Sequence, residues 1–334
     1  MSAVTELQDW DGRIDSTEGP LGRRWHQIVQ PLHGQAEGIG LIGFVCDAGV
    51  ARNHGRIGAS KGPAALRAML ANLPVNQCTR VVDAGDIVCI RDDELESAQD
   101  GLASALARML ALGLFPITLG GGHEVAFASW SGLARYFEAA DNGGGGPVPR
   151  IGVVNIDAHL DLRMADRPSS GTPFRQIAEQ SQERGWPFKY CCLGASEFAN
   201  TQALFERARA LGVTIVRDDE MTLIGLGKTL AALDTFLADV DHVYLTLDLD
   251  GLPAGVAPGV SAPAARGVDL AVVEVVVDHI ITSGKLRLAD VAELNPALDI
   301  DNRTARVGAR LVGRIAEGIA SLEARRKEAA GHGH

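Results

Sequence analysis

The sequence has few cysteines, a shortage of positive charge and no long apolar run. Its five cysteines in 334 residues are odd in number and show no zinc-type spacing, so they are typical of buried thiols in a reducing cytoplasm. Lys and Arg number 31 against 42 Asp and Glu, which gives a formal net charge of −11. Nucleic-acid and anionic-membrane partners both require basic patches, so this charge argues against either.

No stretch approaches the length of a membrane span, and the first thirty residues lack the apolar core of a signal peptide. We therefore expect a soluble, cytoplasmic protein. The chain is 46% hydrophobic and contains no internal repeats, so it can bury one large core. We predict an N-terminal arm (residues 1–38) with a short helix near residues 24–29, a single catalytic domain (39–324) whose last helix covers residues 304–324, and a polar tail (325–334).

Residues 151–163, IGVVNIDAHLDLR, join a predicted strand to three polar side chains. The apolar first half contains no proline and is typical of a strand inside a parallel sheet that is covered on both faces. In an extended chain alternate side chains point the same way, so Asp157, His159 and Asp161 can converge and form half of a metal cage. D-x-H-x-D alone can also be a polar turn with a packed, hydrogen-bonded histidine.

Two other predicted strand ends carry similar side chains. Residues 243–250, VYLTLDLD, end in Asp248 and Asp250, two neighbouring carboxylates whose burial would be costly without a cation. In GGGHE, residues 120–124, three glycines allow a tight turn that directs His123 into the same crevice. Each motif could separately be a solvated strand end or a flexible turn, but one shared metal site explains all three.

The predicted ligands are His123, Asp157, His159, Asp161, Asp248 and Asp250. This set is rich in oxygen, includes two imidazoles and contains no thiolate. It argues against structural zinc and iron–sulfur sites, and it favours a hard octahedral divalent ion such as manganese. Four aspartates carry more negative charge than one ion usually needs, so we predict two manganese ions bridged by shared carboxylates and a water. Such a site makes hydroxide at neutral pH.

GGGHE, DAHLDLR and TLDLDGLPAGVAPGVSAPAARG resemble the three signature segments of the ureohydrolases, the arginase and agmatinase superfamily. The resemblance covers about residues 39–319. It implies an α/β fold, a three-layer αβα sandwich around a mostly parallel sheet, two Mn²⁺ ions per subunit, a homo-oligomer, and hydrolysis of a guanidine or amidine C–N bond. The β/α alternation predicts about eight strands. Thr246 stands where the third segment commonly has Ser or Ala, and we do not expect it to disturb the ligands.

The same resemblance implies how substrate is held. Glu293, in AELNP, matches the family's acidic residue for the cationic guanidinium or amidinium, although it could also be a solvated strand-end carboxylate. Phe174, in SSGTPFRQ, replaces a histidine that arginases carry, which argues against arginase activity. Arg163 and Arg175 suit bidentate binding of carboxylates, or else surface ion pairs, so we predict a substrate with an anionic tail.

An amidine head and a dicarboxylate tail describe N-formimino-L-glutamate. RNHGRIGASKGP, SSGTPFRQ and the third segment resemble the histidine-degradation branch of the superfamily, which hydrolyses this small molecule to L-glutamate and formamide. The resemblance implies Asp161 and Glu293 as catalytic residues. The predicted substrate contacts are Arg163, Arg175, Asn200 and Arg56. A guanidinobutyrase or agmatinase remains an alternative, as does a non-catalytic homologue, although such a homologue would be expected to lose ligands that this chain keeps.

Overall fold

The computed structural model describes residues 10–34, 37–89, 94–141 and 146–331. Within these ranges the strands are β1 (Val29–Pro31), β2 (Gly38–Val45), β3 (Val81–Val88), β4 (Leu114–Leu119), β5 (Ile151–Ile156), β6 (Lys189–Ala195), β7 (Thr214–Arg217), β8 (His242–Asp248) and β9 (Leu286–Ala292). They form one sheet in the order β1-β3-β2-β4-β9-β8-β5-β6-β7, and every pairing of these strands is parallel.

The α-helices in the same ranges are α1 (Ala48–Arg52), α2 (Gly62–Leu70), α3 (Leu95–Ala111), α4 (Val125–Ala140), α5 (Pro173–Arg184), α6 (Gln202–Ala210), α7 (Leu226–Ala238), α8 (Leu270–Thr282) and α9 (Arg303–Gly331). None of these described helices is long and apolar enough to cross a lipid bilayer. The alternation of strands and helices confirms the predicted α/β class, with nine strands where about eight were predicted.

Both faces of the sheet are covered, and β8 shows how. Val243, Leu245 and Leu247 lie in the core cluster that includes α2, α7, α8 and α9, whereas Tyr244 lies in the core on the opposite face, beside α4, α5 and α6. Because each strand alternates between two buried faces, its sequence is apolar throughout instead of alternating with polar residues. The result is the predicted three-layer αβα sandwich.

The two ends of the chain differ from expectation. A short helix was predicted near residues 24–29, but only Trp25–Gln27 is helical, as a 3₁₀ turn, and Val29–Pro31 pairs with β3 at the sheet edge. A three-residue strand that ends in proline is too short to show a periodic pattern. At the other end α9 continues through Gly331 instead of ending at residue 324, because EARRKEAA consists of strong helix formers.

Candidate metal centre

Four strands that are neighbours in the sheet, β4, β9, β8 and β5, end at the same level. The register pairs Leu119 with Val291, Val291 with Leu247, and Leu247 with Ile156. In open parallel sheets, ligands bind in the crevice outside these carboxyl ends. The four residues after these paired positions include predicted site residues on every strand: His123, Glu293, Asp248 with Asp250, and Asp157 with His159.

The glycines of GGGHE let the chain pass closely between β2 and β9. A Cβ atom on Gly121 would lie 1.8 Å from the carbonyl oxygen of Cys46, so a side chain there is excluded. The Gly121 carbonyl accepts a hydrogen bond from the Glu293 amide at 2.8 Å. The backbone N–H of His123 donates to the Glu293 carboxylate at 2.8 Å. This turn therefore fixes His123 and Glu293 relative to each other.

His123 directs one ring nitrogen at three carboxylates. Its Nδ1 lies 2.9 Å from Asp161, 3.1 Å from Asp157 and 3.1 Å from Asp248. The other nitrogen, Nε2, lies 3.0 Å from the hydroxyl of Thr246. Hydrogen bonding at the second nitrogen fixes the orientation of a metal-binding imidazole. Thr246, where the superfamily commonly has Ser or Ala, thus keeps a hydroxyl in contact with this ring.

A second group of ligand atoms adjoins the first. His159 Nδ1 lies 3.4 Å from one oxygen of Asp157 and 3.1 Å from Asp250. The other oxygen of Asp157 faces His123. The ligand atoms of His123, Asp157 and Asp248 lie within 4.8 Å of one another, as do those of Asp157, His159 and Asp250, so Asp157 belongs to both groups. The arrangement fits two adjacent cations that share a carboxylate.

The charges of the cluster are not balanced by the protein alone. Burial and the charges of Asp250 and Asp157 raise the pKa of Asp248 well above its usual value. Burial, with repulsion from Asp157, raises the pKa of Asp250 to about 7 although His159 opposes the shift, and one Asp250 oxygen has no hydrogen-bond partner among the described residues. Closely packed buried carboxylates are costly, and a divalent cation would remove the repulsion. The donor set therefore fits a hard metal ion.

Asp157 itself behaves differently from its neighbours. Burial opposes its charged form, but hydrogen bonds with His123 and His159 outweigh burial and lower its pKa. Asn155, which is fully buried, donates to Asp157 at 3.0 Å. Asn155 was not among the predicted site residues, although an amide inside the apolar run of β5 was a signal that could have identified it. These contacts hold the shared carboxylate in its ionised form.

Asn200 supports the ligand loop instead of lining the cavity. Its amide oxygen accepts the Leu160 N–H at 2.9 Å, and its amide nitrogen donates to the carbonyls of Ala158 and Ser196, each at 2.9 Å. The first two bonds fix the backbone on both sides of His159. This position differs from the predicted substrate contact, because both ends of the amide are occupied by backbone groups.

Phe174 is also behind the cluster. It is fully buried, stacks on Tyr190 with ring centroids 4.3 Å apart, and presents an edge contact to the His123 ring at 5.5 Å. It does not line the cavity above the ligands, as far as the described residues define that cavity. At the place of an arginase histidine the chain therefore has a packing residue that supports a predicted ligand.

A cavity of about 400 Å³ lies over the cluster. Of the five described non-glycine residues with positive φ, three line this cavity: His54 at 60°, Asp161 at 47° and Glu293 at 68°. This conformation costs free energy for residues with side chains and is found where function requires it. Asp161 and Glu293 are the residues predicted to be catalytic.

The predicted arginines occupy three different environments. Arg163 lines the cavity, and its guanidinium has no ion pair or hydrogen bond with any described residue, while Gly171 leaves room for its aliphatic stem. Arg56 also lines the cavity, but it donates to the carbonyls of Val260 and Ser261 at 2.8 Å. Arg175 does not line the cavity, since it donates to the Arg163 carbonyl and pairs with Glu179.

The sequence model of the arginase family matches residues 37–317. Formimidoylglutamases from Ralstonia nicotianae and Aeromonas hydrophila are 61% and 55% identical to this chain, covering 93% and 92% of it and 95% and 96% of their own lengths. The crystal structure of Trypanosoma cruzi formiminoglutamase with two Mn²⁺ ions matches with a TM-score of 0.73 at 29% identity, covering 85% of this chain and 94% of that one. A Bacillus subtilis formimidoylglutamase, 20% identical, shares the fold with a TM-score of 0.78 over 94% of this chain and 96% of its own.

Proposed function

The chain belongs to the arginase family, and from this premise we propose that it hydrolyses N-formimino-L-glutamate to L-glutamate and formamide, a step in histidine degradation. The named relatives at 61% and 55% identity support this reaction. The observation that carries the choice of substrate is Arg163, a guanidinium without a protein partner among the described residues, which lines the same cavity over the predicted ligands as Glu293. Arg163 matches an anionic tail of the substrate, and Glu293 matches a cationic head.

The six predicted ligands would hold two Mn²⁺ ions per subunit. His123, Asp161 and Asp248 would bind one ion, His159 and Asp250 the other, with Asp157 shared. When bound, the pair of ions supplies a hydroxide at neutral pH and neutralises the buried carboxylates. The Mn²⁺ in the T. cruzi relative supports this assignment.

Glu293 would bind the amidinium of the substrate. Burial and the charges of Asp248 and Glu124 raise its pKa well above the usual range, so an isolated Glu293 carboxylate is unfavourable in this site. A cationic amidinium would restore its charged form through a charge-assisted hydrogen bond. Because the Glu293 carboxylate is held by the His123 N–H, this contact would place the formimino carbon over the ligand cluster.

The proton balance of the reaction assigns a role to Asp161. Water adds its oxygen to the formimino carbon, the bond from that carbon to the glutamate nitrogen breaks, and that nitrogen must gain a proton. Asp161 lines the cavity, and burial together with the charge of Asp157 raises its pKa. We assign to it the transfer of the water's own proton to the leaving nitrogen.

Arg163 would bind the glutamate carboxylates with its forked guanidinium, with Arg56 as a second contact at the cavity wall. Arg175 and Asn200 would act indirectly, by holding the backbone at Arg163 and around His159. We also propose a cytoplasmic homo-oligomer without nucleic-acid or membrane partners, in keeping with the net charge of −11, and the division into arm, catalytic domain and tail.

The test is a substrate panel on manganese-loaded protein: N-formimino-L-glutamate, L-arginine, agmatine and 4-guanidinobutyrate. We expect formamide and glutamate from the formimino compound and little turnover of the others, with activity lost in Asp157→Ala. Arg163→Gln should lower kcat/KM about tenfold or more, because a charged hydrogen bond to a carboxylate is lost, whereas Arg175→Gln serves as the matched control with a smaller effect. Faster hydrolysis of a guanidine substrate would contradict the proposal.

A further inference from the structure

A second cavity, of about 340 Å³, lies at the amino ends of β4, β8 and β9. The same three strands lead to the ligand cluster at their carboxyl ends, so roughly 20 Å of strand separates the two places. Its floor is apolar and is formed by buried side chains, including Leu114, Phe115, Leu286 and Ile319. The volume falls in the range of small-molecule pockets, about 300–1,000 Å³.

Two guanidinium groups enter this cavity without acidic partners. Arg287 on β9 and Arg326 on α9 both line it, and neither forms an ion pair with a carboxylate in the described part of the chain. Glu323 also lines the cavity but lies beyond ion-pair distance of both. Burial and the charge of Arg326 lower the pKa of Arg287. Two like charges held together in an otherwise acidic protein indicate a place for an anion.

The histidine in this cavity is neutral, and its tautomer is set by an arginine. Arg287 Nε donates a hydrogen bond to His242 Nδ1 at 3.2 Å. Since arginine stays protonated, Nδ1 must accept and the proton of the ring must sit on Nε2. Burial and Arg287 lower the pKa of His242 to about 4, in agreement with this assignment. The His242 ring stacks on Phe137 with centroids 4.2 Å apart, which forms a flat wall.

Gly284 allows the second guanidinium to take its place. Arg326 donates to the Gly284 carbonyl at 3.3 Å. A Cβ atom on Gly284 would lie 2.6 Å from the Arg326 guanidinium nitrogen, and its φ of +70° further disfavours any other residue. The position of Arg326 therefore depends on the absence of a side chain at residue 284, independently of the contacts of Arg287.

We propose that this cavity is a binding site for a small organic carboxylate with a flat apolar body. The forks of Arg287 and Arg326 would bind the carboxylate oxygens, as arginines do in bidentate pairs. The flat body would pack against the stacked pair of His242 and Phe137, and the apolar floor would cover its edge. An inorganic anion would satisfy the two arginines but would leave the apolar floor exposed to water.

Benzoate is the probe, with benzamide as its neutral analogue and inorganic phosphate as an anion without an apolar body. Binding to the manganese-loaded full chain is measured by calorimetry at constant ionic strength. We expect saturable binding of benzoate only, with Kd raised about tenfold or more in Arg287→Gln and in Arg326→Gln, since each variant loses a charge-assisted hydrogen bond. Arg326 is exposed, so its replacement does not threaten folding.

The control is Arg209→Gln, which removes an exposed arginine of α6 outside this cavity and should leave Kd unchanged. Turnover of N-formimino-L-glutamate by all three variants verifies that they fold. Equal benzoate affinity in wild type and both cavity variants would overturn the proposal, because benzoate would then be bound elsewhere, including at the manganese ions. Binding of phosphate as tight as that of benzoate would also overturn it, since charge alone would then be recognised.

Discussion

Two groups of buried carboxylates lie at this sheet, and they are neutralised in different ways. Asp83 and Asp86, on β3, surround the buried guanidinium of Arg67. Arg67 binds both oxygens of Asp83 at 2.8 and 2.9 Å and one oxygen of Asp86 at 2.6 Å. Here two acids and one arginine form a closed network that needs no ligand.

The acids at the ends of β5 and β8 have no such partner. Among the described residues their ion pairs are only with His123 and His159, and no lysine or arginine lies within 4.0 Å of Asp157, Asp248 or Asp250. The difference separates structural from functional carboxylates. A buried acid with its own arginine contributes to the fold, whereas a group of acids without one provides a binding site for cations.

The largest contrast is expected for activity. Asp157→Ala removes the carboxylate that both ligand groups share, so we expect a loss of manganese and a fall in kcat of at least about 10³-fold, roughly 4 kcal/mol in the barrier. Asp83→Ala is the matched variant in the closed network and should destabilise the protein while its folded fraction still binds manganese. For both variants, metal content is measured by mass spectrometry and activity by turnover of the formimino substrate. Normal manganese content in Asp157→Ala would refute the ligand assignment.

Removing Arg67 from the closed network should have the largest effect on stability. Arg67→Met leaves Asp83 and Asp86 buried without a counter-charge, so we expect the free energy of unfolding to fall by about 3–5 kcal/mol. Urea denaturation of the metal-free protein measures this, and manganese stoichiometry of the folded variant should stay unchanged. An unfolding free energy equal to that of wild type would mean that the closed network contributes nothing.

Neutralising one acid should change the free energy of unfolding in opposite directions in the two groups. Burial and Asp250 raise the pKa of Asp248, so at neutral pH this group destabilises the metal-free fold, and Asp248→Asn should stabilise it by about 1 kcal/mol. Asp86→Asn should destabilise it, because Arg67 loses a charged partner. Both are measured by urea denaturation after metal removal. If both variants destabilise the metal-free protein, the two groups of acids do not differ in the way described.

The smallest effect concerns His242, in the cavity that Arg287 and Arg326 line. The folded pKa of His242 is lowered to about 4 from its usual 6.5, so the fold favours the neutral ring. That contribution is complete above pH 6.5 and is lost as pH falls from 6.5 towards 4, because the unfolded chain then binds the proton more readily. We expect about 1 kcal/mol for this half-buried group. The free energy of unfolding is measured at pH 7 and at pH 5 for wild type and for His242→Gln. The difference between the two pH values should be smaller in His242→Gln, and an unchanged difference would contradict the assignment.

The sequence predicted the fold class because buried parallel strands are apolar throughout, and it placed six polar residues at strand ends that the register brings to one level. It could not predict the direction of side chains in loops. Arg163 and Asn200 lie in the loops after β5 and β6, but only the structure shows that the amide binds backbone groups while the guanidinium faces the cavity. The edge strand β1 was missed because three residues that end in proline are too few to show a periodic pattern.

The central claim is that the acids without arginine partners form a site for two ions. It is tested most directly by titrating metal-free protein with Mn²⁺ while following bound metal, electron paramagnetic resonance and hydrolysis of N-formimino-L-glutamate. The account predicts two ions per chain, magnetic coupling between them, and activity that rises with occupancy of the second position. Saturation at one ion per chain with full activity would contradict it.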